Sequence, residues 1–275
     1  MDFGTVSSGA LILGLVQGVT EFLPVSSSGH LSLAKIIASF DNVPMAYDIV
    51  LHAATLMAVV IYFARDIVSI LFEWFYGFVN ANARRWAGWR FGWAVIVGTL
   101  VTAPFGILLK PLVTSAASDL LWLGVNFTVT GLLLLSSRFI SEGDAAVDTR
   151  SGILIGLLQG IAVFPGISRS GATIWGGLVS GISRRDAFKF SFLLSVPAVT
   201  GAVLLELYDL GLPGFAASLP EGWIWGAAAA FCSGMISLIL LAKLVLSDRL
   251  WVFSLYCFAL GGFAIFYSLM GASFG

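Results

Sequence analysis

Six stretches of the chain, about residues 45–63, 91–109, 120–137, 190–205, 223–242 and 251–270, are apolar over lengths near the roughly 20 helical residues that a hydrocarbon core of about 30 Å requires. Such runs are stable in lipid only as segments that satisfy their own backbone hydrogen bonds, which means helices here. Composition agrees: 59% of the 275 residues are hydrophobic, 11% are charged, and mean hydropathy is +0.98. A soluble globular core is excluded, and an all-α polytopic membrane protein forming a single domain over residues 1–275 is expected. No basic segment precedes the first apolar run, so the spans themselves are expected to direct insertion, without a cleavable signal peptide. A net charge of −1 marks no nucleic-acid partner. Cys232 and Cys257 fall inside apolar runs and read as packed thiols, not as a disulfide or metal ligands.

Two further regions, 8–40 and 151–183, are apolar but broken in the middle, one by Pro24 with Ser26, Ser27, Ser28 and Gly29, the other by Pro165, Gly166, Ser168, Arg169, Ser170 and Gly171. Proline removes a backbone donor and serine hydroxyls compete for backbone hydrogen bonds, so neither region should run as one straight helix. Each half is expected to be too short to cross alone, with the second helices restarting near Leu31 and Ile174. Helix, polar loop, helix is the pattern of a re-entrant hairpin, whose irregular backbone must be buried in protein or line a wet cavity.

The two regions are copies. An offset of 142 residues (156 minus 14) places Gly14 on Gly156, Leu15 on Leu157, Gln17 on Gln159, Gly18 on Gly160, Phe22 on Phe164, Ser26 on Ser168, Ser28 on Ser170 and Gly29 on Gly171. Three full spans follow each copy, and an odd number of crossings brings the second copy in from the opposite face. The expected architecture is therefore six transmembrane helices plus two re-entrant helix-loop-helix hairpins, in inverted-topology repeats 1–143 and 151–275. Charge agrees: this topology gathers Arg65, Arg84, Arg85, Arg90, Arg138, Arg150, Arg184, Arg185, Lys189, Lys243 and Arg249 on one side and leaves Lys35 and Lys110 on the other. By the positive-inside rule the basic side is the cytoplasm, both termini lie outside, and the first hairpin dips in from the outside.

Arg169 is then the one basic residue at membrane depth, where a cation needs a partner or water. Around it Gly166, Ser168, Ser170, Gly171 and Thr173 supply hydroxyls and N–H groups ahead of a helix, a cradle for phosphate. Ser26, Ser27, Ser28, Gly29 and His30 form a second cradle facing it. The blander reading, close helix packing, suits Gly14 with Gly18, Gly156 with Gly160 and Gly177 with Gly181. It does not account for Arg169 or His30. Glu21 lies one turn after Gln17 on the same face and needs a cation: Arg169, a divalent metal, or both. Glu and Gln alone make a weak metal site that phosphate oxygens would have to complete. His30 is a candidate acid, base or phosphoryl acceptor, and Ser27 is the best-placed serine nucleophile, with Ser26 and Ser28 open on spacing. Asp48 and His52, one turn apart in the first full span, read as a satisfied pair near its outer end. The remaining acids, among them Asp2, Asp41, Asp66, Glu142, Glu206, Asp209 and Asp248, read as solvated charge, and the tryptophans around 64–90 as an amphipathic segment on the cytoplasmic interface.

The stretches "LGLVQGVTEFLPVSSSGH" and "PGISRSGAT" resemble the two signature regions of the undecaprenyl-diphosphatase family of integral membrane phosphatases, also known for bacitracin resistance. The likeness covers essentially the whole chain. The family's acidic motif is met by Gln17 and Glu21, with Gln17 standing where many members have Glu. Its Pro-Gly-x-Ser-Arg-Ser-x-x-Thr motif is met by Pro165, Gly166, Ser168, Arg169, Ser170 and Thr173, and its serine and histidine by Ser27 and His30. The resemblance implies hydrolysis of a C55-type polyprenyl diphosphate to the monophosphate and inorganic phosphate on the outer face of the cytoplasmic membrane. A divalent cation, Mg2+ or Ca2+, would assist, with Glu21 and Gln17 as its protein ligands. Partners expected are the polyprenyl diphosphate lipid, the membrane and, as a homodimer, a second copy of the chain. The main rival from the residues is a transporter or flippase that moves a lipid phosphate through the same midplane site. An anion channel is disfavoured, since one arginine hardly lines a pore.

Overall fold

A computed structural model describes residues 3–38 and 45–274, so the charges at Asp2 and Asp41 lie outside the described residues. The order is α1 (Phe3–Phe22), α2 (Ser27–Ala38), α3 (Met45–Tyr62), α4 (Ala64–Val79), α5 (Ala87–Leu108), α6 (Lys110–Ala117), α7 (Leu120–Ser136), α8 (Thr149–Ile161), α9 (Arg169–Val179), α10 (Arg184–Ala217), α11 (Trp223–Leu246) and α12 (Phe253–Phe274). Among the described residues there is no strand, only an isolated bridge pairing Ala145 with Ile182.

Five helical stretches among the described residues are long and apolar enough to cross a membrane: Ala87–Leu108, Leu120–Phe139, Arg184–Gly211, Trp223–Leu246 and Leu250–Met270. The sixth expected span is α3, which reaches that length only together with α4, and the two are bent by 73°. An amphipathic helix thus forms in the 64–90 stretch. α4 exposes Val68, Phe72, Phe75 and Val79 along one stripe and turns Trp74 towards Gly92 of α5. α10 overruns its apolar window at both ends, α5 at its start and α11 and α12 at their ends, because polar and charged residues near a terminus can extend a helix.

Both broken regions are broken where expected, but two details differ. α1 is 20 residues long, more than the half-helix expected from residue 8, whereas α2, α8 and α9 have 12, 13 and 11. Both second helices also begin earlier than expected, at Ser27 and Arg169 instead of near Leu31 and Ile174. Serine explains this: Ser168 caps α9 by accepting the Gly171 N–H at 3.1 Å, and Ser26 accepts the Gly29 N–H at 3.3 Å in the same manner. The polar residues of each break are therefore first-turn residues of a helix.

The halves interlock. α1 packs on α11 and α8 packs on α5, while α7 packs on α12 and α3 on α10. Small residues permit the first two contacts: a Cβ on Gly14 would lie 2.1 Å from the Gly226 carbonyl oxygen, and one on Gly156 2.5 Å from that of Gly98. Gly177 likewise faces Ala187, but Gly181 ends α9 with φ of 74° and does not pack as its partner in a small-residue pair. Phe22, Phe63, Phe188 and Phe192 cluster where α1, the bend between α3 and α4, and α10 converge. Several acids read as solvated are paired instead. Arg184 joins Glu142 at 2.8 Å and Asp248 at 2.7 Å, Lys189 meets Asp66 at 2.6 Å, and at the other end of the bundle Lys110 meets Asp209 at 3.2 Å. Long basic side chains at helix ends reach acids that spacing along the chain cannot associate.

Candidate active site

The two breaks meet in the centre of the bundle. A Cβ on Gly29 would lie 2.7 Å from the Gly166 nitrogen, so the chains touch backbone to backbone. Gly166 has φ of 94°, and the space beside it is closed by Asn126 and the Leu123 carbonyl, which together admit only glycine. Its N–H donates to Ser26 Oγ at 3.0 Å, across 140 residues of sequence. Ser26 itself holds φ of 67°, a strained setting for a residue with a side chain and one that clusters at functional sites. Residues aligned by the 142-residue offset make the same bonds: Ser26 Oγ lies 3.4 Å from Ser28 Oγ, and Ser168 Oγ 3.3 Å from Ser170 Oγ.

α7 braces the second break. Asn126 Nδ2 donates to the Pro165 carbonyl at 2.8 Å, Thr130 Oγ1 donates to the Gly166 carbonyl at 2.8 Å, and the Ser168 N–H donates to Thr130 Oγ1 at 3.0 Å. The Pro165 and Gly166 carbonyls and the Gly166 and Ser168 N–H groups of the irregular backbone thus all have side-chain partners.

Glu21, at the last turn of α1, is the hub. Its Oε1 receives Arg169 Nη2, and its Oε2 accepts from Ser27 Oγ at 2.5 Å and from Gln17 Nε2 at 2.9 Å. Glu21 and Arg169 side chains are 5% and 18% exposed, so the pair is held in low dielectric, where each needs the other. Arg169 Nη1 is buried without a partner. The first-turn N–H groups of Ser27, Ser28, Arg169 and Ser170 have no acceptor within their helices, and the positive ends of both helix dipoles face the same place. An unpartnered guanidinium nitrogen beside two helix N-termini is a site for an oxyanion.

His30 stands apart from this hub. Its Nδ1 donates to the Ser26 carbonyl at 2.7 Å, which leaves Nε2 to accept from Tyr256 Oη at 2.7 Å, with the two rings parallel to within 4°. Thr173 is fully buried with its hydroxyl on the Arg169 carbonyl at 2.7 Å and Ser191 at 2.5 Å, so it fixes α9 and its Oγ1 does not face the cradle. Asp48 and His52 are not a side-chain pair. Asp48 binds Lys35 at 2.5 Å, and His52 turns Nε2 towards Glu21 Oε2 at 3.6 Å. Glu21, Arg169, His52, Thr55 and Ser195 line a narrow cleft whose wall is Leu56, Val59 and Val199. Asn126, Thr130, His52 and Tyr256 are thus site residues that sequence reasoning missed. Only the one-turn spacing of Asp48 and His52 was a signal, and it pointed to the wrong partner.

The chain is thus a multi-pass helical membrane protein with an arginine and a carboxylate buried together at the junction of two broken helices, and a serine hydroxyl on that carboxylate. The chain matches the family model described as "Bacitracin resistance protein BacA" over residues 10–263, and it belongs to that family. It is 38% identical over 255 residues to the undecaprenyl-diphosphatase of Korarchaeum cryptofilum, covering 92% of this chain and 95% of that one. It is 36% identical to that of Methanosphaera stadtmanae, covering 95% and 98%, and 40% identical to that of Treponema denticola, covering 94% and 96%.

Proposed function

We propose that this chain hydrolyses a polyprenyl diphosphate to the monophosphate and inorganic phosphate, the activity named for its relatives. The observation that carries the reading is the Glu21 hub: a serine hydroxyl 2.5 Å from a buried carboxylate whose arginine partner keeps one nitrogen, Nη1, unpaired. A diphosphate entering the cleft finds Arg169 and the N–H groups of two helix N-termini, and its isoprenoid tail runs along the apolar wall into lipid. Arg169 then stabilises the charge that grows on the transferred phosphoryl group.

Ser27 is the nucleophile in this reading, because both ring nitrogens of His30 are engaged and Ser27 Oγ is already on its base. Glu21 takes the Ser27 proton as Oγ bonds to the terminal phosphorus and the bridging oxygen leaves with the polyprenyl monophosphate. Water then attacks the phosphoserine, Ser27 Oγ recovers its proton, and inorganic phosphate departs. His30 and Tyr256 hold Ser26 and the start of α2 in place.

The family resemblance implies Mg2+ or Ca2+ held by Glu21 and Gln17. Glu21 is engaged by Arg169, Ser27 and Gln17 Nε2, Gln17 offers only its buried, unpartnered Oε1, and no group of three His, Cys, Asp or Glu gathers among the described residues. These side chains do not fit a protein-held metal, so a cation would arrive on the substrate's own phosphate oxygens.

The finer topology belongs to the same proposal: two re-entrant hairpins in inverted repeats 1–143 and 151–275, with both termini and the site opening on the outside. It is supported by the matching serine bonds at the two breaks and by the exchanged packing of α1 on α11 and α8 on α5. Lys35 and Lys110 also lie at the opposite end of the bundle from Arg184 and Lys189. Purified protein in detergent tests the activity. Phosphate release from undecaprenyl diphosphate that disappears in Ser27→Ala is expected. No release at any divalent cation concentration sinks the reading, and flipping of a labelled lipid phosphate that survives Glu21→Gln replaces it with transport.

A further inference from the structure

His52 is a buried-side imidazole that the proposed reaction leaves without a role. It lies on α3, outside both signature stretches, and its side chain is 29% exposed, whereas Glu21 is 5% exposed. Its Nδ1 is 2.7 Å from the Asp48 carbonyl oxygen. A carbonyl only accepts, so Nδ1 carries the hydrogen and the neutral ring presents the lone pair of Nε2. That lone pair faces Glu21 Oε2 at 3.6 Å, the same oxygen that accepts the Ser27 hydroxyl.

The other charged groups around the ring are accounted for. Arg169 of α9, across the cleft, is on Glu21 Oε1, and the Asp48 carboxylate is on Lys35 of α2 at 2.5 Å. The neighbouring hydroxyls are engaged too: Thr55 donates to the His52 carbonyl at 2.9 Å and Ser195 to the Phe192 carbonyl at 2.7 Å. Among the described residues that line the cleft, no other carboxylate competes for Nε2 and no other base stands beside Glu21.

We infer that His52 is the positioning residue that restores Glu21. Once Glu21 Oε2 holds the proton taken from Ser27, it is a neutral acid beside a buried guanidinium that has lost its counter-charge. Transfer of that proton to His52 Nε2 returns the carboxylate to Arg169 and places the positive charge on the more exposed ring, from which it passes to water. In the second half-reaction Glu21 takes a proton from the attacking water and gives it to Ser27 Oγ as the bond from that oxygen to phosphorus breaks, so one net proton per turnover leaves through His52. The inference rests on the phosphatase reading above.

Phosphate release from undecaprenyl diphosphate by the full-length chain in detergent, measured from pH 5 to 8.5, tests it. In the unaltered protein the turnover number should rise with pH across part of that range and then level. In His52→Gln the plateau should fall by roughly 10- to 100-fold and the rise across that range should vanish, with KM within about twofold. Added imidazole should restore part of the rate in the smaller His52→Ala. A merely structural histidine would lower the rate without changing the shape of the profile. A His52→Gln protein that keeps the rising limb, or keeps turnover within about twofold of the unaltered protein, overturns the inference. Where His52→Gln does not fold, His52→Asn gives the same reading. If the unaltered protein releases no phosphate at any pH, the phosphatase reading itself fails; an active protein indifferent to His52 removes this inference alone.

Discussion

Gly29 and Gly171 occupy matching places in the two repeats, and their replacement by alanine should have very different results. Both lie in the first turn of a helix, where alanine is favoured over glycine by up to about 1 kcal/mol. At Gly171 the new methyl would sit 3.2 Å from the Ser168 side chain and 3.3 Å from Leu134, contacts that yield by a few tenths of an ångström. At Gly29 it would sit 2.6 Å from the Phe127 ring, 2.7 Å from the Gly166 nitrogen and 2.9 Å from its Cα. Reaching ordinary contact at about 3.4 Å needs an opening of about 0.7 Å, and the Gly166 backbone is fixed by Thr130 and Ser26. Overpacking of this kind costs about 1–3 kcal/mol, which outweighs the helix preference. Gly29 is two residues from Ser27 and Gly166 three from Arg169, so the displacement reaches both, and a misplacement near 1 Å costs on the order of 10²-fold in rate. Gly29→Ala should therefore fold with a lowered melting temperature and lose roughly 10²-fold in turnover. Gly171→Ala should melt at or slightly above the unaltered protein and keep most of its activity. Thermal melts in detergent and phosphate release from undecaprenyl diphosphate measure both. Equal activity of the two variants would refute the claim that the backbones meet at Gly29 and Gly166.

Arg169→Lys should lose most activity, since an ammonium cannot bind Glu21 and a phosphate at once through a planar fork, and near-normal turnover would remove Arg169 from the site. Thr130→Val keeps shape but strips partners from the Gly166 carbonyl and the Ser168 N–H, so it should lower stability by about 1–3 kcal/mol in a denaturation series. Cysteine labelling on whole cells should find position 110 reactive from outside and position 85 only after permeabilisation, and the reverse would overturn the orientation.

The site's two signature stretches were legible in sequence because they are local: an offset of 142 residues aligned Ser26 with Ser168 and Gly29 with Gly171, and the bonds at the two places match. The pairing of Glu21 with Arg169 followed from the need of a buried carboxylate for a cation. What was not legible came from other helices. Thr130 and Asn126 reach the second break from 36 and 39 residues away, and Tyr256 meets His30 across 226, contacts with no periodicity to announce them. Asp48 and His52 were misread because spacing of one turn puts two side chains on one face but does not say that they bind each other. The early starts of α2 and α9 were missed because a serine reads equally as loop or as cap until its acceptor geometry is known.

The exchanged packing of the halves sets an order on biosynthesis. α1 is made first, yet the surface that receives Gly14 and Gly18 belongs to α11, which leaves the ribosome some 200 residues later. Until then the first broken region lacks the main surface it packs on, and Glu21 waits for Arg169 as well. A nascent chain stopped before Trp223 would hold both signature stretches and still lack a closed site. The membrane insertion machinery, or water, must shelter a polar break until the end of the chain arrives to cover it.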